Sequence, residues 1–119
     1  MKFDQFLVKP DNTIIDVMSI IERNKKRAAL VINDSIKIIG FVSQGDILRS
    51  VVNGVNLYSH IEAIMSSSFK YMKLRDMDVA SDLFKNMNIS LLPIVDDDFQ
   101  LLDLITITDI IIHLEGKKA

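Results

Sequence analysis

The sequence carries one small chemical arrangement twice, as Ser43-Gln44-Gly45-Asp46 and as Thr106-Ile107-Thr108-Asp109. In each copy a hydroxyl residue closes an apolar stretch, and a carboxylate follows three positions later at the head of another. A helix starting there offers unpaired N–H groups and the positive end of its dipole, a setting that attracts phosphate. The carboxylate is kept ionised in that field and, as a pure acceptor, suits two vicinal hydroxyls. The same spacing also describes a capping box, in which hydroxyl and acid satisfy only the helix end, worth about 1 kcal/mol per cap. Both readings stand at this point for both copies.

Other candidate groups carry less. Arg23, Lys25, Lys26 and Arg27 suit the carboxyl end of a helix, where cations favour the dipole; the sharper use is Arg27 or Lys26 reaching a ligand phosphate. Asp96-Asp97-Asp98 reads as a solvated turn, because three consecutive acids point in different directions. His60 and His113 lack partners at a useful spacing and read as incidental. Tyr58, Tyr71 and the six Met residues read as core or interface filler. With no Cys there are neither disulfides nor thiolate metal sites. No nucleophile with its base, phosphate-cradling glycine loop or metal constellation is present, so no catalytic or metal residue is assigned and a non-enzyme is expected.

The elements that must position the two junctions recur at the same offset as the junctions. That offset also sets Phe6 against Phe69, Asp34 against Asp97 and Ile47 against Ile110, and the apolar pattern of Ile14–Ile36 against that of Met77–Phe99. In the first half Gln5–Val8 reads as a strand, and Thr13 with Asp16 as the capping box of a helix bearing Ile14, Val17, Met18 and Ile21. Ala28–Ile32 and Ile36–Val42 make a hairpin around Asn33-Asp34-Ser35, and a helix runs from Ser43 to about Val52. Leu57–Met65 is a connection expected to hold a short helix. The second half repeats the plan: a strand at Phe69–Leu74, a helix capped by Asp76, a hairpin of Leu91–Val95 and Phe99–Thr106, and a closing helix at Ile107–Leu114 with a frayed tail from Glu115. Each half is therefore β-α-β-β-α, an α/β (α+β) class, with repeats at 1–56 and 66–119 and a connecting segment at 57–65. One half alone could cover a single face of its sheet, so two are expected to pack by pseudo-twofold symmetry into one module.

At 119 residues, 49% hydrophobic and 25% charged, the chain has an ordinary globular composition. A net charge of −2 argues against a generic nucleic-acid binder, which needs a basic face. The longest greasy stretch, Leu101–Leu114, contains Asp103 and Asp109 and is too short for a bilayer, and no signal sequence opens the chain. Soluble, cytoplasmic and without a membrane partner is the expectation.

Two β-α-β-β-α repeats, each ending hydrophobic-hydrophobic-[Ser/Thr]-x-x-Asp-hydrophobic, resemble a tandem pair of cystathionine-β-synthase (CBS) domains. The resemblance rests on Gly40-Phe41-Val42-Ser43-Gln44-Gly45-Asp46-Ile47, on Leu92-Pro93-Ile94-Val95-Asp96, on Leu104-Ile105-Thr106-Ile107-Thr108-Asp109-Ile110, and on the connection Ile61-Glu62-Ala63-Ile64-Met65. A narrower likeness, in Gln44–Arg49 followed by Gly54-Val55-Asn56-Leu57, is to the CBS pair attached to some sugar-phosphate nucleotidyltransferases. The resemblance implies a regulatory module that binds an adenosine-containing ligand (AMP, ADP, ATP or S-adenosylmethionine) in clefts between the repeats, requires no cofactor, and pairs into a disc-shaped homodimer. It implies that Asp46 and Asp109 accept from ribose hydroxyls and that Ser43 and Thr106 donate to ribose or phosphate. Arg27 and Ala28, or Ser90 and Leu91, would lie against the base. The alternative is a ligand-free dimerisation module using apolar residues of the Ser43 and Ile107 helices. Asp103 departs from the pattern, standing where the first repeat has Gly40, and a carboxylate on a covered strand needs a partner or a proton.

Overall fold

The computed structural model describes residues 3–87 and 89–118, which fall into two units, Met1–Phe69 and Lys70–Ala119. In the first, the short strand β1 (Leu7–Val8) leads to helix α1 (Ile14–Asn24), strands β2 (Ala28–Ile32) and β3 (Ile38–Ser43), and helix α2 (Gln44–Val52). In the second, helix α3 (Met77–Met87) precedes strands β4 (Leu91–Val95) and β5 (Leu101–Thr106) and helix α4 (Ile107–Lys118).

The five-residue apolar runs decide the centre of each unit. Every residue of β2 and of β4 is buried, as expected of strands covered on both faces. β2 pairs antiparallel with β3 and parallel with β1, giving the order β1-β2-β3, while β4 pairs antiparallel with β5. The hairpins share one register: Ala28 opposes Ser43 as Leu91 opposes Thr106, and the ladder slips between Val31 and Ile32 as it does between Ile94 and Val95. Their turns match too. Asn33 Oδ1 accepts from the Ser35 and Lys37 N–H groups, as Asp96 Oδ1 does from Asp98 and Gln100, and Ile36 and Phe99 sit at φ 60° and 61°.

The helices lie where their apolar faces require. Ile14, Val17 and Ile21 of α1 and Ile47 of α2 join Val8, Ala29, Val31, Val42 and Ile61 in the first core. Ala80 and Phe84 of α3 and Ile110 of α4 join Leu92, Ile94 and Ile105 in the second. Thr13 and Asp16 form the capping box of α1, and Asp76 Oδ1 accepts from the Asp78 and Val79 N–H groups at the start of α3.

Several element boundaries are corrected. Where a strand is expected at Gln5–Val8 there is a 3-10 turn at Asp4–Phe6 and only two strand residues. Ile36 and Phe99 belong to turns, because their left-handed φ cannot continue a strand. The connection holds only a 3-10 turn, Ile61–Ala63, since Leu57 and Ser59 spend their carbonyls on the first amides of α1. The strand expected at Phe69–Leu74 reduces to one parallel bridge, Met72 with Ile94. The closing helix runs on to Lys118 instead of fraying from Glu115; Ala119 lies outside the described residues.

Candidate functional site

Each junction is the turn from the last hairpin strand into the following helix. Ser43 is extended at φ −103° and ψ 162°, its Oγ accepts from the Asp46 N–H at 3.1 Å, and Asp46 Oδ2 accepts from the Ser43 N–H at 2.8 Å. Thr106 and Asp109 repeat this, with Asp109 Oδ2 accepting from the Thr106 N–H at 2.8 Å and Thr106 Oγ1 accepting from the Asp109 N–H at 3.4 Å. Thr106 Oγ1 also donates to Asp109 Oδ2 at 3.2 Å. The capping reading therefore holds at both entrances. It leaves one carboxylate oxygen of each acid outside the cap.

Those outer oxygens differ. Asp46 Oδ1 meets Arg49 Nη2 at 2.5 Å, one helical turn along α2, whereas Asp109 Oδ1 has no partner among the described residues. Arg49 enters the sequence reading only within the narrower likeness and with no role at the site, although Asp46-x-x-Arg49 is a spacing at which charges meet on a helix.

The hairpin register brings the remaining expected residues to the same two corners. Arg27, at φ 64°, turns the chain into β2, and its carbonyl accepts from the Gln44 N–H at 2.8 Å, tying the start of β2 to the first residue of α2. Ala28, opposite Ser43, is fully buried, so it can offer a ligand only backbone. In the second unit Leu91 opposes Thr106 and is likewise buried, while Ser90 before it is half-buried. Arg27, Ala28, Ser43 and Asp46 thus share one corner; Ser90, Leu91, Thr106 and Asp109 share the other.

A groove of about 380 Å³ opens beside the first corner, lined by Ile21, Glu22, Lys25, Arg27 and Gln44. Beside it lies an apolar groove of about 460 Å³ that includes Met18, Ile47, Leu48 and Val51. The Lys25 and Arg27 cations, next to the amino end of α2, make the first groove suited to an anionic group. Lys25 and Glu22 are residues the sequence reading did not place there.

One assignment changes, and the condition set on Asp103 is met. His113, read as incidental, bonds through Nε2 to Asp78 Oδ1 at 3.0 Å, and Lys117 bonds to the same oxygen, so α4 is tied to α3. These bonds, Lys117 first, hold the Asp78 carboxyl below its ordinary value. The partner lies too far back in the sequence for spacing to reveal it. Asp103 is half-exposed, with Oδ2 at 2.9 Å from Arg75 Nη1 and Oδ1 accepting the Leu104 N–H, which supplies the partner its position demands. Asp96–Asp98 is a turn, with Asp97 paired to Lys73 at 2.8 Å and its carboxyl lowered by that bond. Among the described residues no cluster of three or more His, Asp or Glu side chains could hold a metal, and no helix is long and apolar enough to cross a membrane.

Two units that share an α-β-β-α course, each with a hydroxyl–acid pair at its final helix entrance, define a tandem repeat of one small fold. The CBS domain profile matches residues 1–53 and 61–116, and the chain belongs to the CBS domain family. It is 32% identical over 115 residues to a homoserine O-acetyltransferase of Methanobrevibacter ruminantium, matching 96% of this chain but only 23% of that protein. Among solved structures, it resembles a CBS domain protein of Pyrobaculum aerophilum complexed with AMP, at TM-score 0.75 and 21% identity, covering 92% of this chain and 90% of the other. It also resembles a CBS domain pair in complex with 5′-methylthioadenosine and S-adenosyl-L-methionine, at TM-score 0.76 and 21% identity, covering 96% and 90%.

Proposed function

We propose that this chain is a non-catalytic regulatory module that binds an adenosine-containing ligand, one of AMP, ADP, ATP or S-adenosylmethionine, at its two helix entrances. The observation that carries the reading is the pair of Ser/Thr-x-x-Asp corners in one register, the first beside a groove lined by Lys25 and Arg27. The complexes of the two similar structures with AMP and with adenosyl ligands support the ligand class. In this reading each acid turns its outer oxygen to ribose hydroxyls, Ser43 and Thr106 reach ribose or phosphate, and Arg27–Ala28 and Ser90–Leu91 border the base. Occupancy is passed to an attached domain or to a second copy by differential affinity, since a ligand shifts an equilibrium only as far as it prefers one state.

A thermal-shift panel of AMP, ADP, ATP, GTP and S-adenosylmethionine tests this. A ligand at a hundred times its Kd adds about 2.7 kcal/mol, well above detection. Silence across the panel removes the sensor reading and leaves a second one, a dimerising module that needs no ligand. That reading is favoured by Leu48 and Val52 on α2 and Ile111 and Ile112 on α4, all more than half exposed.

A further inference from the structure

The two corners present a ligand with different charge. At the first, Lys25 and Arg27 line the groove, form no ion pair among the described residues, and share its wall with a single acid, Glu22. Arg49 adds a cation at the helix entrance itself. Its side chain folds back along α2, with Nη2 on Asp46 Oδ1 and Nη1 3.5 Å from where a Cβ on Gly45 would stand, a point 3.7 Å from Ser43 Oγ. The guanidinium therefore lies against the turn that joins the hydroxyl to the acid.

The second corner lacks this set. The offset that matches Ser43 to Thr106 puts Ser90 in the place of Arg27, Ile112 in that of Arg49 and Lys85 in that of Glu22. Lys25, Arg27 and Arg49 thus outweigh Glu22 and Asp46 at the first corner. At the second, the charges at the same positions are Lys85 and Asp109 alone, and the outer oxygen of Asp109 has no partner among the described residues. This difference sorts ligands. A ribose hydroxyl that takes Asp46 Oδ1 must displace Arg49, and an uncharged ligand gives that guanidinium nothing in return. A phosphate on the same ribose does, because guanidinium and ammonium groups bind phosphate through charge-assisted hydrogen bonds. At Asp109 there is no arginine to displace, so a ribose binds there without help from a phosphate.

We propose that the first corner selects a phosphate-bearing adenosine nucleotide over the same ligand without phosphate, that Arg49 sets this selectivity, and that the second corner makes no such demand. The proposal rests on the ligand-binding reading above and adds what each corner selects. Arg49 guards Asp46 against uncharged ribosides and turns to the phosphate when a nucleotide takes the carboxylate from it.

AMP and adenosine are the probes, since they share base and ribose and differ only in the phosphate. Amide shifts of the isotope-labelled full chain give a Kd for each at Ser43–Asp46 and at Thr106–Asp109. The first corner should prefer AMP by at least about tenfold, the effect of a charged hydrogen bond, and the second by clearly less. Arg49→Ile, which copies the second corner, should cut the preference of the first by at least about fivefold, with adenosine bound there no more weakly than by wild type because Asp46 Oδ1 is freed. An arginine with a merely structural role would weaken both ligands alike. Ile112→Arg, at an exposed position, should raise the AMP preference of the second corner. Circular dichroism checks that both variants keep the fold. An AMP-to-adenosine ratio unchanged by Arg49→Ile, equal preferences at the two corners, or binding at the second corner alone overturns the assignment while leaving the ligand-binding reading in place. If neither these probes nor S-adenosylmethionine moves either corner, the ligand-binding reading itself fails and takes this proposal with it, a distinct result.

Discussion

The two hairpins share a register and a turn, and differ in the residues around them. Register, ladder slip and left-handed turn residue agree between them, yet Leu30 is matched by Pro93, Gly40 by Asp103 and Arg49 by Ile112. Each difference has a local consequence. Pro93 has no N–H to extend a parallel ladder towards Lys70, so Met72 makes a single bridge where β1 makes a short strand. Gly40 leaves room for Met65, whose Cγ would lie 2.9 Å from an added Cβ, whereas Asp103 reaches out to Arg75. Arg49 occupies the outer oxygen of Asp46, whereas Ile112, at the matching position, cannot pair with Asp109, whose outer oxygen has no partner among the described residues. The repeat keeps what shapes the helix entrance and varies what meets it from outside.

The largest expected effect bears on those outer oxygens. If the acids hold a ligand, Asp109→Ala weakens adenosine-ligand binding at its corner by about 1.5–3 kcal/mol, the value of a charged hydrogen bond. Asp46→Ala weakens it less, because Arg49 already shares that carboxylate. Calorimetric titration of both variants checks this, and equal losses would show that Arg49 does not compete.

Packing comes next. Gly40→Ala forces Met65 aside and costs about 1–3 kcal/mol in urea unfolding, whereas Asp103→Ala removes only a half-exposed pair and costs at most about 1 kcal/mol. Similar costs would mean that Met65 yields freely. The caps follow: Ser43→Ala should lose about 1 kcal/mol, and Thr106→Ala somewhat less, given its longer 3.4 Å bond. A larger loss at Thr106 would contradict the comparison.

The smallest effect is acid-dependent. The folded Asp78 carboxyl lies below its ordinary value of 3.8, so its contribution is present above that value and lost as pH falls through the lower folded value. Asp78→Asn should therefore be less stable than wild type near neutrality and match it in strong acid. A gap in melting temperature that persists at the lowest pH at which both fold would contradict this.

Much of this plan was legible in the sequence, for physical reasons. Buried runs such as Ala28–Ile32 and Leu91–Val95 admit few alternatives, and the Ser/Thr-x-x-Asp spacing describes helix entrance and candidate site at once. Partnerships across the fold were not legible. Asp78 with His113, and Asp103 with Arg75, depend on which helix or turn arrives beside them. The failed strand at Phe69–Leu74 was misread because its pattern is sound and the fault lies in its partner, Pro93. Leu57–Met65 has helical spacing, but the open amides of α1 take its carbonyls first.

The most direct measurement is amide chemical-shift mapping of the isotope-labelled chain during titration with AMP and with S-adenosylmethionine. The account predicts that, for a ligand that binds, the largest movements fall on Ser43–Asp46 or Thr106–Asp109 together with Arg27–Ala28 or Ser90–Leu91. Saturable shifts confined to other residues, or no shift with either compound, would contradict it.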